Sequence, residues 1–121
     1  MKSLILKGIF PLILVSLVFV EDGVIRAASS PPSSPVVVPV TIRHNRFETT
    51  VERVSPKTPL LFRVTNKGKS LEEFESYDMA FEVVVRPGQT VEIPVSGLGP
   101  GTYEYFGDFH PRTARGTITV K

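Results

Sequence analysis

The chain is 121 residues long, room for one domain and a short appendage. Its 14 Lys and Arg against 12 Asp and Glu leave a net charge of +2, too small for a nucleic-acid footprint, so no nucleic-acid partner is expected. The absence of cysteine excludes disulfide frameworks, zinc–thiolate and iron–sulfur sites, a lipidated cysteine anchor and any thiol nucleophile.

The first 28 residues read as an export signal. Thirteen of the seventeen residues from Leu4 to Val20 are apolar, Lys2 and Lys7 lie ahead of an uncharged run, and Ala27, Ala28 and Ser29 supply small residues for cleavage. As a helix the uncharged run would span about 20 Å, short of the roughly 30 Å hydrocarbon core. With Lys7 snorkelling, the longer stretch nearly spans, so an uncleaved membrane anchor stays open beside a cleaved signal. Either outcome predicts a periplasmic or otherwise extracytoplasmic location. Residues 29–36 follow as a Ser/Pro-rich linker that cannot bury surface and reads as a solvated tether.

From residue 37 to 121 the pattern is that of short strands. Val40 and Ile42 alternate with Thr41 and Arg43; Leu60, Phe62 and Val64 alternate with Arg63 and Thr65; the segment Asn66 to Lys69 supplies a turn. Val83 to Val85 stops at Arg86, Pro87 and Gly88. Val91, Ile93 and Val95 form the next alternation, then Gly97 to Gly101 breaks the chain. Tyr103 and Tyr105, and finally Ile118 and Val120, complete the series. No window sustains a helical stripe. Six to eight short strands separated by Pro/Gly turns predict an all-β sandwich.

Chemistry is concentrated in two places. Glu72, Glu73 and Glu75 crowd three carboxylates into four positions around Phe74, with Asp78 and Glu82 following; such a run is either a solvated edge or a seat for a cation. On an extended backbone Glu72 shares a face with Phe74, and Glu73 shares the other with Glu75. The second place is the run Gly107, Asp108, Phe109, His110, Pro111. Asp108 and His110, two apart, point the same way in an extended chain, a carboxylate and an imidazole suited to copper(II), zinc or iron. His44 reads as a partly buried histidine at the end of the first strand, on the face of Val40 and Ile42. No Gly-x-Ser-x-Gly elbow and no phosphate-binding glycine loop is present.

The last third resembles the C-terminal half of a cupredoxin. Gly97 to Pro111 is similar to that family's Pro-Gly-Thr-Tyr strand and ligand loop, Gly116 to Val120 to its closing strand, and Leu60 to Asn66 to the strand before its first histidine ligand. The resemblance implies a cupredoxin-like Greek-key β-sandwich. It is closest to exported types that carry Glu-Glu-Phe-Glu-Ser (Glu72 to Ser76) and Gly-Asp/Glu-Phe-His (Gly107 to His110). Those are associated with ferrous-iron permeases, as in the small N-terminal domain of EfeO iron-uptake proteins and FtrB-like proteins. Implied with it are a bound copper or iron ion, a role in iron oxidation or uptake, and an iron permease or membrane redox partner.

The family's cysteine position falls on Gly107 and its methionine position near Ala114, so no blue-copper centre is expected. Its upstream histidine position falls on Glu72 or Glu73. The expected ligand set is Glu72 or Glu73, with Asp108 and His110, Glu75 being a further oxygen. Such oxygen-rich donors with one nitrogen suit copper(II), iron(III) or manganese(II) rather than copper(I). A non-enzymatic metal-binding accessory protein, a ferroxidase-like enzyme and a metal-free interaction module tethered near a membrane partner are the functions left to compare.

Overall fold

A computed structural model describes residues 33–121; the stretch read as an export signal and residues 29–32 of the linker lie outside the described residues. Regular structure within this range is entirely β. Nine strands follow in order: β1 (Val36–Arg43), β2 (Arg46–Thr49), β3 (Arg53–Val54), β4 (Leu60–Asn66), β5 (Glu72–Ser76), β6 (Phe81–Val85), β7 (Thr90–Val95), β8 (Gly101–Gly107) and β9 (Arg115–Val120). Six to eight strands were expected from the pattern. The excess comes from β2 and β3, four and two residues long, which are too short to show an alternation of their own.

The strands form two sheets, ordered β2-β1-β4-β7 and β3-β9-β8-β5-β6. Strands β1 and β4 run parallel, as do β3 and β9, and the remaining pairs are antiparallel. Crossing between sheets rather than pairing in chain order is what a Greek-key sandwich requires.

Period-two alternation explains which side chains meet between the layers. Val38, Val40 and Ile42 of β1 and Leu60, Phe62 and Val64 of β4 face Phe74, Tyr105, Ile118 and Val120 of the other sheet, all buried. Phe62, Phe74, Phe81 and Tyr105 form a central aromatic cluster with ring centroids 5.2–5.9 Å apart, the tilted and offset geometry that the ring quadrupoles favour.

Two local devices aim the site. His44 and Asn45 form the two-residue turn between β1 and β2, both with positive φ (50° and 56°), the geometry of a type I′ hairpin. His44 is therefore exposed in the turn and does not continue the buried face of Val40 and Ile42. Asn66 ends β4 fully buried. Its Nδ2 donates to the carbonyls of Ser70 and Val85 at 2.8 and 2.9 Å, and its Oδ1 accepts from Gly68 N–H at 2.9 Å. One amide thus ties the end of β4 to the end of β6 in the other sheet and shapes the turn that delivers the chain to β5.

Candidate functional site

Strand β5 places its carboxylates by parity. Glu72 and Ser76 point inward with Phe74, while Glu73 and Glu75 point outward. Glu72 is 1% exposed, a carboxylate buried among core residues, and its cost is met by three hydrogen bonds. Glu73 N–H and Phe109 N–H both donate to its Oε1 at 3.1 Å, and its Oε2 lies 2.6 Å from His110 Nδ1. Of the two glutamates left open by the sequence, Glu72 is the one facing the loop histidine.

His110 reaches Glu72 because the segment after β8 coils instead of extending. His110 N–H donates to Gly107 O at 3.1 Å, Ala114 N–H donates to His110 O at 2.9 Å, and Gly107 N–H closes the loop onto Ala114 O at 2.8 Å. This turn overturns the expectation that Asp108 and His110 point the same way. His110 turns inward to Glu72, whereas Asp108, exposed and bonded through its N–H to Glu73 O at 2.9 Å, belongs with the carboxylates outside.

Close approach accounts for the glycine in this loop. A Cβ at Gly107 would lie 2.5 Å from Glu72 Cδ, 2.6 Å from its Oε1 and 2.8 Å from Ala114 Cβ. Positions 72, 107, 110 and 114 therefore meet around one small volume, and the Glu72 carboxylate fills it.

Outside, Glu73, Glu75, Glu82 and Asp108 crowd one face of the β6-β5-β8 surface, with Glu75 and Glu82 directly opposed across the ladder. A hydrogen bond with Glu82, then desolvation, then the charges of Glu82, Asp108 and Glu75 push the Glu73 carboxyl up to about 7. Burial first, then Asp108 and Glu82, raises Glu75 as well. The exposed Tyr77 packs edge-on against Phe106 at 5.1 Å beside this acidic face. The proposed ligands thus fall into an inner pair, Glu72 and His110, and an outer pair, Glu73 and Asp108. Among the described residues no three His, Asp or Glu side chains converge on a point that could hold a metal ion.

The model of the cupredoxin-like domain matches residues 12–120. The chain belongs to the cupredoxin-like domain family. It is 35% identical over 113 residues to an uncharacterised protein of Rickettsia prowazekii (strain Madrid E), with 90% of each chain covered. Its fold is similar to that of auracyanin A, a blue copper protein from Chloroflexus aurantiacus (TM-score 0.62, 15% identity, 73% of this chain and 100% of that one). It is also similar to the periplasmic domain of cytochrome oxidase subunit II of Bradyrhizobium japonicum (TM-score 0.61, 11% identity, 74% and 86% covered). A purple cupredoxin from Nitrosopumilus maritimus matches at TM-score 0.53 and 19% identity, with 69% and 98% covered.

Against this cupredoxin frame the residues present do not fit a blue-copper centre. The chain has no cysteine to supply a thiolate, and the Glu72 carboxylate occupies the space a side chain at Gly107 would need. What remains is one imidazole paired with one carboxylate, Glu72, while Glu73 and Asp108 lie with the outer carboxylates.

Proposed function

We propose that this cupredoxin-like protein works outside the cytoplasm by binding copper(II) or iron through oxygen donors and one imidazole, assisting iron oxidation or uptake. The observation that carries the reading is the Glu72–His110 contact at 2.6 Å, an inward carboxylate and imidazole at the loop end of the sandwich. The proposed ligands are Glu72 and His110 from within and Glu73 and Asp108 from the strand and loop that flank them. A cation held by both would sit between Glu72 Oε2 and His110 Nδ1, in place of the proton shared across their 2.6 Å contact. The crowding that raises Glu73 gives a cation a second benefit: it relieves repulsion among carboxylates.

The Glu-Glu-Phe-Glu-Ser and Gly-Asp-Phe-His segments support the iron-permease-associated type, and the apolar N-terminal segment supports export as a cleaved signal or an anchor. Negative oxygen donors favour the higher oxidation state of a bound ion, which suits ferric holding better than rapid electron exchange. An accessory binding role is therefore preferred to enzymatic turnover. Oxygen uptake with ferrous iron no faster than in buffer agrees with that preference; acceleration lost in His110→Ala makes the protein a ferroxidase.

Isothermal titration with copper(II), iron(II) and iron(III) tests the ligand set. Saturable binding by the wild type is expected to weaken about tenfold or more in His110→Ala and in Glu73→Gln/Asp108→Asn. Equal binding by all three proteins, or none by the wild type, overturns the assignment.

A second reading has its own observation. The three hydrogen bonds on Glu72 leave its charge already met, as in a metal-free interaction module whose outer acidic face meets a basic partner. Absence of metal binding together with partner binding lost in Glu73→Lys and Glu75→Lys would establish it.

A further inference from the structure

We propose that the loop end of the sandwich docks on an anionic lipid surface, with Leu71 and Phe109 entering the headgroup layer and Arg43, Lys67, Lys69 and Arg86 lying against the phosphates.

Two independent features meet at this end. The first is apolar. Leu71 is 43% exposed and Phe109 46%, side chains held out on loops instead of joining the core. Strand alternation places neither of them: Leu71 precedes β5, and Phe109 lies past the end of β8, in the turn that sends His110 inward. They belong to one patch, because Phe109 N–H donates at 3.1 Å to the carboxylate of Glu72, the neighbour of Leu71 in the chain.

The second feature is charge. Arg43, Lys67, Lys69 and Arg86 are exposed where β1, β4 and β6 end, and none is in an ion pair among the described residues. Hydrogen bonds gather their turns into one surface. Lys67 N–H donates to Ile42 O at 2.9 Å, Gly88 N–H to Asn66 O at 2.7 Å, and Ser70 Oγ to Asn45 Oδ1 at 3.0 Å. Within this surface lies a cleft of about 430 Å³ with Arg43, His44, Lys67 and Lys69 in its lining, a donor-rich seat for a phosphate. The carboxylates nearby do not cancel it: Glu72 is buried against His110, and Glu73 and Asp108 belong to the outer acidic face. Turns at the opposite end mix signs, Glu52 and Asp78 with Lys57.

The pairing of the two features selects the occupant. Cations alone would suit any polyanion, but a bilayer offers phosphates at its surface and hydrocarbon just beneath, the environment that basic surfaces with apolar tips enter. The apolar N-terminal run reads as bringing the chain to a membrane. Residues 21–35 would span about 50 Å if extended, and β1 about 25 Å, so an anchored chain can turn its far end back to its own bilayer. The inference does not rest on metal binding.

The test uses the full chain in lipid nanodiscs without added metal, with a nitroxide on the lipid headgroup and amide NMR line broadening as readout. Amides of His44, Gly68, Leu71 and Phe109 are expected to broaden in phosphatidylglycerol-containing bilayers and not in pure phosphatidylcholine, and the effect is expected to fade in high salt. Lys67→Gln/Lys69→Gln is expected to lower the ratio of docked to free domain about 25-fold, a factor of about five per cation. Leu71→Ser is expected to weaken docking while leaving its salt dependence. No broadening in either bilayer, equal broadening in both, broadening confined to Lys57 and Gly97 at the opposite end, or an undiminished effect in Lys67→Gln/Lys69→Gln overturns the proposal. Saturable shifts of the same amides by inorganic phosphate in detergent, without broadening in the anionic bilayer, would make the cleft a free-anion site and overturn it too.

Discussion

The Glu72 carboxylate stands where a side chain at Gly107 would have to go, its Cδ 2.5 Å from the position of a Cβ there. The two residues are coupled through one volume, although they lie on different strands of the same sheet. Gly107→Ala is therefore expected to lose about 1–3 kcal/mol, the usual penalty for overpacking a filled core. Removing the obstruction should recover part of that loss. In chemical denaturation the cost of Gly107→Ala is expected to be smaller in a Glu72→Ala background than in the wild type; an equal cost in both would refute the shared volume.

The same crowding shows how a sulfur-ligated centre could be built back. With His110 retained, the triple variant Glu72→His/Gly107→Cys/Ala114→Met replaces the carboxylate with an imidazole and supplies the thiolate and thioether that copper sites of this fold use. Copper(II) is expected to give that variant an intense thiolate-derived visible band that the copper-treated wild type lacks. Gly107→Cys alone keeps the Glu72 carboxylate in the way and is expected to give no such band. Absorbance titration checks both.

The acidic face makes stability depend on pH in an unusual direction. The folded protein raises Glu73 from 4.5 to about 7, so between those values it holds a proton the unfolded chain has already released. The contribution is greatest below about 4.5 and is lost as pH rises through about 7. In the absence of metal, the difference in denaturant midpoint between wild type and Glu82→Gln is expected to change across this window, because Glu82 is the largest cause of the shift. A pH-independent difference would contradict it.

Asn66 offers a test of the scaffold apart from its chemistry. Asn66→Ala removes three hydrogen bonds, those to the Ser70 and Val85 carbonyls and from the Gly68 N–H. A loss of about 2–3 kcal/mol is expected, and because the amide holds the turn leading into β5, amide exchange at Glu72 and Glu73 should quicken with it. Asn66→Asp can still accept from Gly68 N–H but cannot donate to the two carbonyls, so it is expected to recover little.

Much of the architecture was legible because strand patterning is local. Leu60, Phe62 and Val64 alternate cleanly, and β4 sits where they place it; the same holds for Val91 to Val95 in β7 and Ile118 to Val120 in β9. Strand β2, with Phe47 as its one apolar residue, carries no such pattern and is held by its neighbour β1 through the His44–Asn45 turn. His44 was misplaced for that reason: nothing in a run of Val40, Ile42 and His44 announces that the chain reverses after Arg43.

By itself the sequence determined the inward face of each longer strand, including that Glu72 travels with Phe74, because side chains alternate every two residues whatever the strand pairs with. It also settled that no thiolate copper centre can form, since the chain has no cysteine. Only the tertiary structure decided that Glu72 meets His110, 38 positions away, while Asp108 two residues earlier turns to the outer carboxylates. Parity is a property of a backbone segment; which donors share a volume depends on long-range strand pairing and on loop hydrogen bonds, and those are set by the packing of the whole sandwich.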